Sequence, residues 1–398
     1  MTTLADYMRR AAALDASNPL ASARDQFDLP DDEAYFLGNS LGPLTHAARA
    51  AVLCTVDDEW RNGLVRTWHD GDWLDLAAST GDLVARVIGA PTGSVVAGDS
   101  TSVALYKVLS AAARINASPA RRVMLCDSRN FPTDRYVARS VAELHGLEFV
   151  ELEVSEMPAR FADDVAVMTA SMIDYRSADL HDVGAITAAA HEHCILTVWD
   201  LAHAAGAVKC DVLANDVDFA VGCGYKYLNG GPGAPAYMYA APRIVGSVDQ
   251  PIPGWFGHAE PFAFEDTYRP APGVARFSSG TTHVLSMKAM HAALGVVTRH
   301  SIDDVRATCI GLGDFFVEGF DAFLSGGDFS LGSRRDGARR GGHIALLHPD
   351  AERMSKELIA RGLVVDFRPP NVIRVAFSPL FLRYADVARL VGELTHLK

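Results

Sequence analysis

Short, nearly unbroken apolar runs recur between residues 122 and 239, each bounded by polar or glycine-containing stretches. Arg122–Asp127, Phe149–Val154, Val165–Ser171, Cys194–Asp200, Phe219–Cys223 and Ala236–Tyr239 read as strands, because runs this short and continuous suit strands covered on both faces. Helical spacing fills several of the intervals. Ser100–Arg114 opens on hydroxyl residues that suit a helix start, and Val183–His193 fits a second helix. Strands alternating with helices predict an α/β fold with a large, mostly parallel central sheet. After about Ser286 the pattern changes. A helical stretch leads to strand-like runs at His343–Leu347, Leu363–Phe367 and Asn371–Phe377, which predict a smaller α+β domain. The 398 residues exceed what one hydrophobic core organises, so two domains are expected. The boundaries fall at 46–290 for the large domain and 291–398 for the small C-terminal one. The N-terminal segment 1–45 is expected to pack near the small domain.

Composition narrows the partners. A net charge of −13 argues against nucleic acid or an anionic membrane surface, so any phosphate must be held locally. Hydrophobic content of 49% and charged content of 21% describe an ordinary globular chain. No apolar run is long enough for a membrane span, and residues 1–20 lack the stretch of a signal peptide. The six cysteines form no Cys-x-x-Cys pair and read as buried, reduced thiols, which fits the cytoplasm.

In parallel sheets, ligands bind beyond the carboxyl ends of the strands. Four groups fall there: Asn130–Asp134 after one strand, Ser171 ending another, Asp200 ending a third and Lys226 after a fourth. Lys226 lies between glycines and tyrosines in the run from Gly222 to Gly231. A lysine in such a place shifts its pKa readily and forms Schiff bases with carbonyls. Asp200 is placed to face the ring nitrogen of pyridoxal 5′-phosphate, where a carboxylate keeps the ring protonated and electron-withdrawing. Each group also has a plainer reading. Lys226 could snorkel from a loop, Asp200 could cap the next helix, and His203 could be structural. Thr101 and Ser102 could bind a phosphate at a helix start or sit beside an ordinary cap. Phe131 could stack on a pyridine face, with Asp134 adding a polar contact. Arg374 alternates with Ile373, Val375 and Phe377, and spacing alone favours a solvated arginine, although its fork suits a carboxylate. Gly230-Gly-Pro-Gly233 lacks the spacing of a dinucleotide fingerprint.

Five segments carry a resemblance: Gly38-Asn-Ser-Leu-Gly42, Asn130-Phe-Pro-Thr-Asp134, Trp199-Asp-Leu-Ala-His203, Tyr225-Lys-Tyr-Leu-Asn-Gly-Gly-Pro-Gly233 and Gly254-Trp-Phe-Gly-His258. In these the chain resembles the kynureninase family, pyridoxal-phosphate enzymes of the aspartate-aminotransferase fold type (fold type I). The resemblance implies that Lys226 forms the Schiff base, with Asp200 and His203 on the ring side. Phe131 would stack on the cofactor near Asp134, and Ser171 would line it. Thr101, Ser102, Tyr225, Trp255 and Thr281 would surround the phosphate, some of them from a second subunit of a homodimer with shared sites. Arg374 would hold the carboxylate of a small amino-acid substrate. Ser40 and Trp68 would lie near its aryl ketone, and Tyr225 would relay a proton. The implied reaction is hydrolysis of kynurenine in tryptophan catabolism. The rivals are another enzyme of the fold, such as a transaminase or cysteine desulfurase, and a non-catalytic pyridoxal-phosphate binder. A desulfurase usually needs a reactive loop cysteine, which none of the six obviously supplies; intact Lys226, Asp200 and Arg374 argue against a relic.

Overall fold

The computed structural model describes residues 3–397. Its larger sheet has seven strands: β1 (Val95–Gly98), β2 (Val123–Asp127), β3 (Glu148–Leu152), β4 (Val165–Ser171), β5 (Leu196–Asp200), β6 (Phe219–Cys223) and β7 (Ala236–Ala240). Their order across the sheet is β1-β7-β6-β5-β4-β2-β3. The block from β6 to β3 is parallel throughout, whereas β7 runs antiparallel to both β6 and β1. Every position of β2, β4, β6 and β7 is buried. The reason lies in the pleat. Met124 and Cys126 of β2 enter one apolar cluster with Leu105 and Val108 of the helix Thr101–Asn116, while Val123 and Leu125 enter another on the opposite face. A strand that must satisfy two cores has no room for polar alternation, which is why these segments read as continuous apolar runs.

A second, antiparallel sheet holds β8 (Ser330–Leu331), β9 (His343–Leu347), β10 (Asp366–Arg368) and β11 (Val372–Ala376), in the order β10-β11-β9-β8. The expected run Leu363–Phe367 is divided. Leu363–Val364 leaves to pair in parallel with Ala34–Tyr35, and only Asp366–Arg368 joins the sheet. The N-terminal segment therefore lies against this region: the helix Leu4–Ser17 also packs on the helix Tyr384–Leu397, and Tyr7 stacks on Phe315 at 4.2 Å. Beyond Tyr35 the chain crosses to the large sheet, where the Gly42 N–H donates to the Tyr225 carbonyl at 2.7 Å. A Cβ at Gly42 would come within 2.5 Å of the Lys226 carbonyl, so only glycine allows this approach. Four cysteines are buried; Cys54 and Cys194 are exposed, against the expectation of six buried thiols, and all are unpaired. Among the described residues no helix is long and apolar enough to cross a membrane.

Candidate active site

The carboxyl ends of the parallel strands open on a cavity of about 340 Å³, between the two sheets. Its floor is a pair of acids. Asp200 ends β5, with Oδ1 accepting from the Ala202 N–H at 2.7 Å and Oδ2 at 3.4 Å from the Ser171 hydroxyl. Asp134 stands in the first turn of the helix Pro132–Leu144, whose start Pro132 favours by fixing its own φ. Burial first, and then the negative charge of Asp200, hold the Asp134 carboxyl well above the usual carboxylate range, while Lys226 pulls it back. Asp134 thus tends to keep its proton, and its Oδ2 is buried without a partner. Asn130 braces the floor, its side-chain oxygen accepting from the Ser171 N–H at 2.8 Å.

Lys226 follows β6 on the glycine-bounded loop, half-buried, with Nζ 3.0 Å from His203 Nε2. Burial and the neighbouring Lys226 charge hold the His203 imidazole well below its ordinary pKa, so the ring is neutral. If Nε2 accepts from the ammonium, Nδ1 carries the proton; that Nδ1 is buried with no partner in the chain. Tyr225 lines the cavity next to the lysine, and burial pushes its phenol up, so it stays protonated. Phe131 is 42% exposed at the cavity, edge-on to Tyr175 at 5.2 Å. Thr101 and Ser102 reach the cavity at the start of a 16-residue helix capped by Ser100. First-turn N–H groups of a helix have no intrahelical partner, so this end suits an anion.

Arg374 corrects the expectation from spacing. It is only 2% exposed and lines the cavity, because both faces of the C-terminal sheet are covered, one by apolar residues and the other by the large sheet's loops. Its Nη1 donates to the Tyr175 carbonyl at 3.0 Å, its Nη2 pairs with Asp366, and its Nε has no partner. Ser40 and Asn39 arrive from the N-terminal segment, and both polar atoms of the Asn39 amide are buried and unpartnered.

Three candidates lie elsewhere in this chain. Trp68 packs edge-on to Trp73 at 5.2 Å and against Phe256 at 5.7 Å. Trp255 is 40% exposed, edge-on to Phe256. Thr281 lines a separate cavity of about 270 Å³ with Gly98, Asp99 and Ser279. That loop is pinned by Lys107, a fully buried ammonium bonded to Asp99 at 2.6 Å, the Phe277 carbonyl at 2.7 Å and the Ser279 hydroxyl at 2.6 Å. The cavity also takes Asn39, Thr133, Tyr175 and Arg368, which sequence reading did not single out. Asn39 had a signal inside Gly38-Asn-Ser-Leu-Gly42, and Arg368 had one in its two-residue alternation with Asp366; Tyr175 had none.

The arrangement has counterparts among known proteins. Residues 73–324 match the class-V aminotransferase family, and residues 305–394 match the kynureninase C-terminal domain. A cysteine desulfurase from Escherichia coli shares the fold, with a TM-score of 0.81 and 18% identity over 95% of this chain and 98% of its own. The apo cysteine desulfurase of Thermococcus onnurineus does so with a TM-score of 0.79 at 16% identity, over 94% and 97%. Fold and family together define a pyridoxal-phosphate-dependent enzyme of the class-V aminotransferase type. A kynureninase from Pseudomonas fluorescens is 39% identical over 100% of this chain and 97% of its own, and one from Deinococcus radiodurans is 42% identical over 99% and 97%. The chain belongs to the kynureninase family.

Proposed function

We propose that the chain holds pyridoxal 5′-phosphate in the 340 Å³ cavity and hydrolyses the Cβ–Cγ bond of L-kynurenine or its 3-hydroxy form, releasing the anthranilate and L-alanine. One observation carries this reading at the level of residues: a single cavity gathers the Lys226 amine, the Asp134–Asp200 pair and a buried arginine whose Nε has no partner. The residues fit the cofactor. Buried polar atoms left unpaired are costly, and His203 Nδ1, Asp134 Oδ2 and the Asn39 amide all await a polar ligand. When bound, the pyridoxal ring withdraws electrons from the substrate and makes its α-proton and Cβ–Cγ bond labile.

The chain's own groups divide the remaining work. Asp200, steadied by Ser171 and backed by Asp134, supplies the carboxylate for the ring-nitrogen end. Thr101 and Ser102 would receive the cofactor's phosphate at the helix start, and Phe131 would lie against its ring. Lys226 Nζ would hold the aldehyde and, once substrate has released it as the free amine, would take the α-proton; neutral His203 Nε2, 3.0 Å away, can accept a hydrogen bond from Nζ and keep it aimed. Tyr225 keeps its phenolic proton and would donate it to Cβ, which keeps the bonding pair and stays with the alanine part when the hydrated γ-ketone leaves as the anthranilate. Arg374 takes the α-carboxylate by its open Nε edge. Ser40 lies at the substrate end.

We further infer a homodimer in which Trp68, Trp255 and Thr281 complete the partner's cavity. Two features support this. The three residues lie outside their own cavity, and an apolar groove of about 750 Å³ exposes Leu41, Leu44, Leu53 and Leu285. Two separate sheets, the first ending at Ala240 and the second starting at Ser330, support two domains bridged by residues 1–45, while the helix Val284–Val297 crosses the expected boundary at 290. Six unpaired thiols support a cytoplasmic setting. A desulfurase chemistry is disfavoured, because no cysteine lines the cavity, and burial raises the thiol of the nearby Cys223 above its ordinary pKa. The test is direct. Kynurenine added to purified protein should yield anthranilate fluorescence and stoichiometric alanine; no fluorescence, with or without added pyridoxal phosphate, removes the assignment.

A further inference from the structure

Two arginines reach the cavity from the C-terminal sheet, and one carboxylate holds both. Asp366 and Arg374 are direct cross-strand partners on β10 and β11, so their side chains leave the sheet on the same face. Asp366 Oδ2 accepts from Arg374 Nη2, from Arg368 Nε at 3.0 Å, and lies 2.9 Å from Arg368 Nη2. All three donors converge on that one oxygen. The consequence is geometric. An aspartate facing a lone arginine tends to bind it through two parallel bonds, which occupies one edge of the fork. Here Arg368 competes for Oδ2, the Tyr175 carbonyl fixes Nη1, and Arg374 Nε is left buried and unpartnered. The burial of Arg374 makes the counter-charge necessary, whereas the Arg368 side chain is 38% exposed and can meet water.

We propose that Asp366 is a positioning residue for substrate recognition: it holds Arg374 by a single nitrogen, Arg368 keeps it there by drawing on the same oxygen, and the Nε edge of Arg374 stays open for an α-carboxylate. The inference rests on Arg374 as the carboxylate-binding group. Asp366 touches no reacting atom, so its loss should act on KM and on carboxylate selectivity rather than on the chemical step.

The test compares holoenzyme variants by their KM and kcat for kynurenine and by competitive inhibition with L-alanine against L-alaninamide. Asp366→Asn keeps the volume and removes the charge; KM should rise roughly ten- to hundredfold, kcat should change by less than about threefold, and the preference for alanine over its amide should collapse. Asp366→Glu should recover part of that preference, which a merely structural role would not predict. Arg368→Ala, at a half-exposed position that does not endanger folding, should lower the preference by about threefold to tenfold, since Asp366 is then free to close on Arg374. An unchanged preference in Arg368→Ala, or in a folded Asp366→Asn protein, overturns the proposal. Arg374→Ala separates the two levels. If it keeps the preference, the carboxylate-binding role itself fails; if it loses the preference while Asp366→Asn keeps it, only the positioning role falls.

Discussion

The cavity floor and the aromatic face that carries Trp68 and Trp255 are built in opposite ways. Asp200 stands at the end of a strand whose preceding residues Val198 and Trp199 are fully buried, and Lys226 follows Phe219–Cys223, buried throughout. Trp255 sits on a single turn of 3₁₀ helix, Trp255–Gly257, and its surroundings are open: Phe262, edge-on to it, is 43% exposed, and Phe264 beyond it 76%. That face is held by edge-on ring contacts and one polar clamp, Glu59 taking Lys288 at 2.9 Å and the Trp73 indole at 2.7 Å. The difference is instructive. Groups that must hold charge in fixed places come from strand ends, where two cores define the backbone. Groups proposed to meet the partner's ligand stand on short helical turns and a loop outside the sheet's cores.

The sharpest break in this comparison is Lys226→Ala, which should lower turnover roughly 10⁴-fold and remove the visible absorbance of bound cofactor; a retained band would move the anchor elsewhere. Trp255→Ala should cost roughly ten- to hundredfold. Mixing it with Lys226→Ala then sharpens the point: hybrids of the two impaired chains should exceed either parent, since one of the two sites combines an intact floor with an intact partner face. Mixtures no better than the average of their parts would place Trp255 in its own chain's chemistry. A third effect is thermal. His343 is fully buried with both ring nitrogens unpartnered, and burial, with Arg374 nearby, brings its pKa down from 6.5 to about 3. Below pH 6.5 the unfolded chain takes up a proton that the folded chain refuses. Stability is therefore whole above pH 6.5 and falls as pH drops toward about 3, by about 3 kcal/mol at pH 4.5 for this group. The melting temperature of His343→Gln should decline less over that window; an identical slope would mean that His343 takes up its proton in the folded chain as readily as in the unfolded one. The smallest effect is expected at the clamp, where Glu59→Gln should raise KM for kynurenine by about threefold with little change in melting temperature.

What could be read from the sequence follows the same division. The inner parallel strands β2, β4, β5 and β6 were legible because burial on both faces leaves an apolar run, and the motif residues were legible because they follow or end those runs. β1 was not, since Val95–Gly98 is four residues without pattern, paired only at the sheet edge. Arg374 was put at the site by the family resemblance and not by spacing: alternation identifies a second face but cannot say that another sheet's loops cover it. Asp366 and Tyr175 were invisible for a related reason: Asp366 matters through the hairpin register that sets it opposite Arg374, and Tyr175 through a carbonyl contributed from 199 positions away. The site's charged inventory is local in sequence; its orientation is not.

The path of the first forty-odd residues has a practical side. They supply Asn39 and Ser40 to the cavity, pair with Leu363–Val364 and latch Gly42 onto the lysine loop. This stretch is a strap rather than a tail. Trimming it, or fusing a bulky tag close to Gly42, would unfasten the loop that presents the amine, so any engineering of this protein should leave that end alone and work from the other.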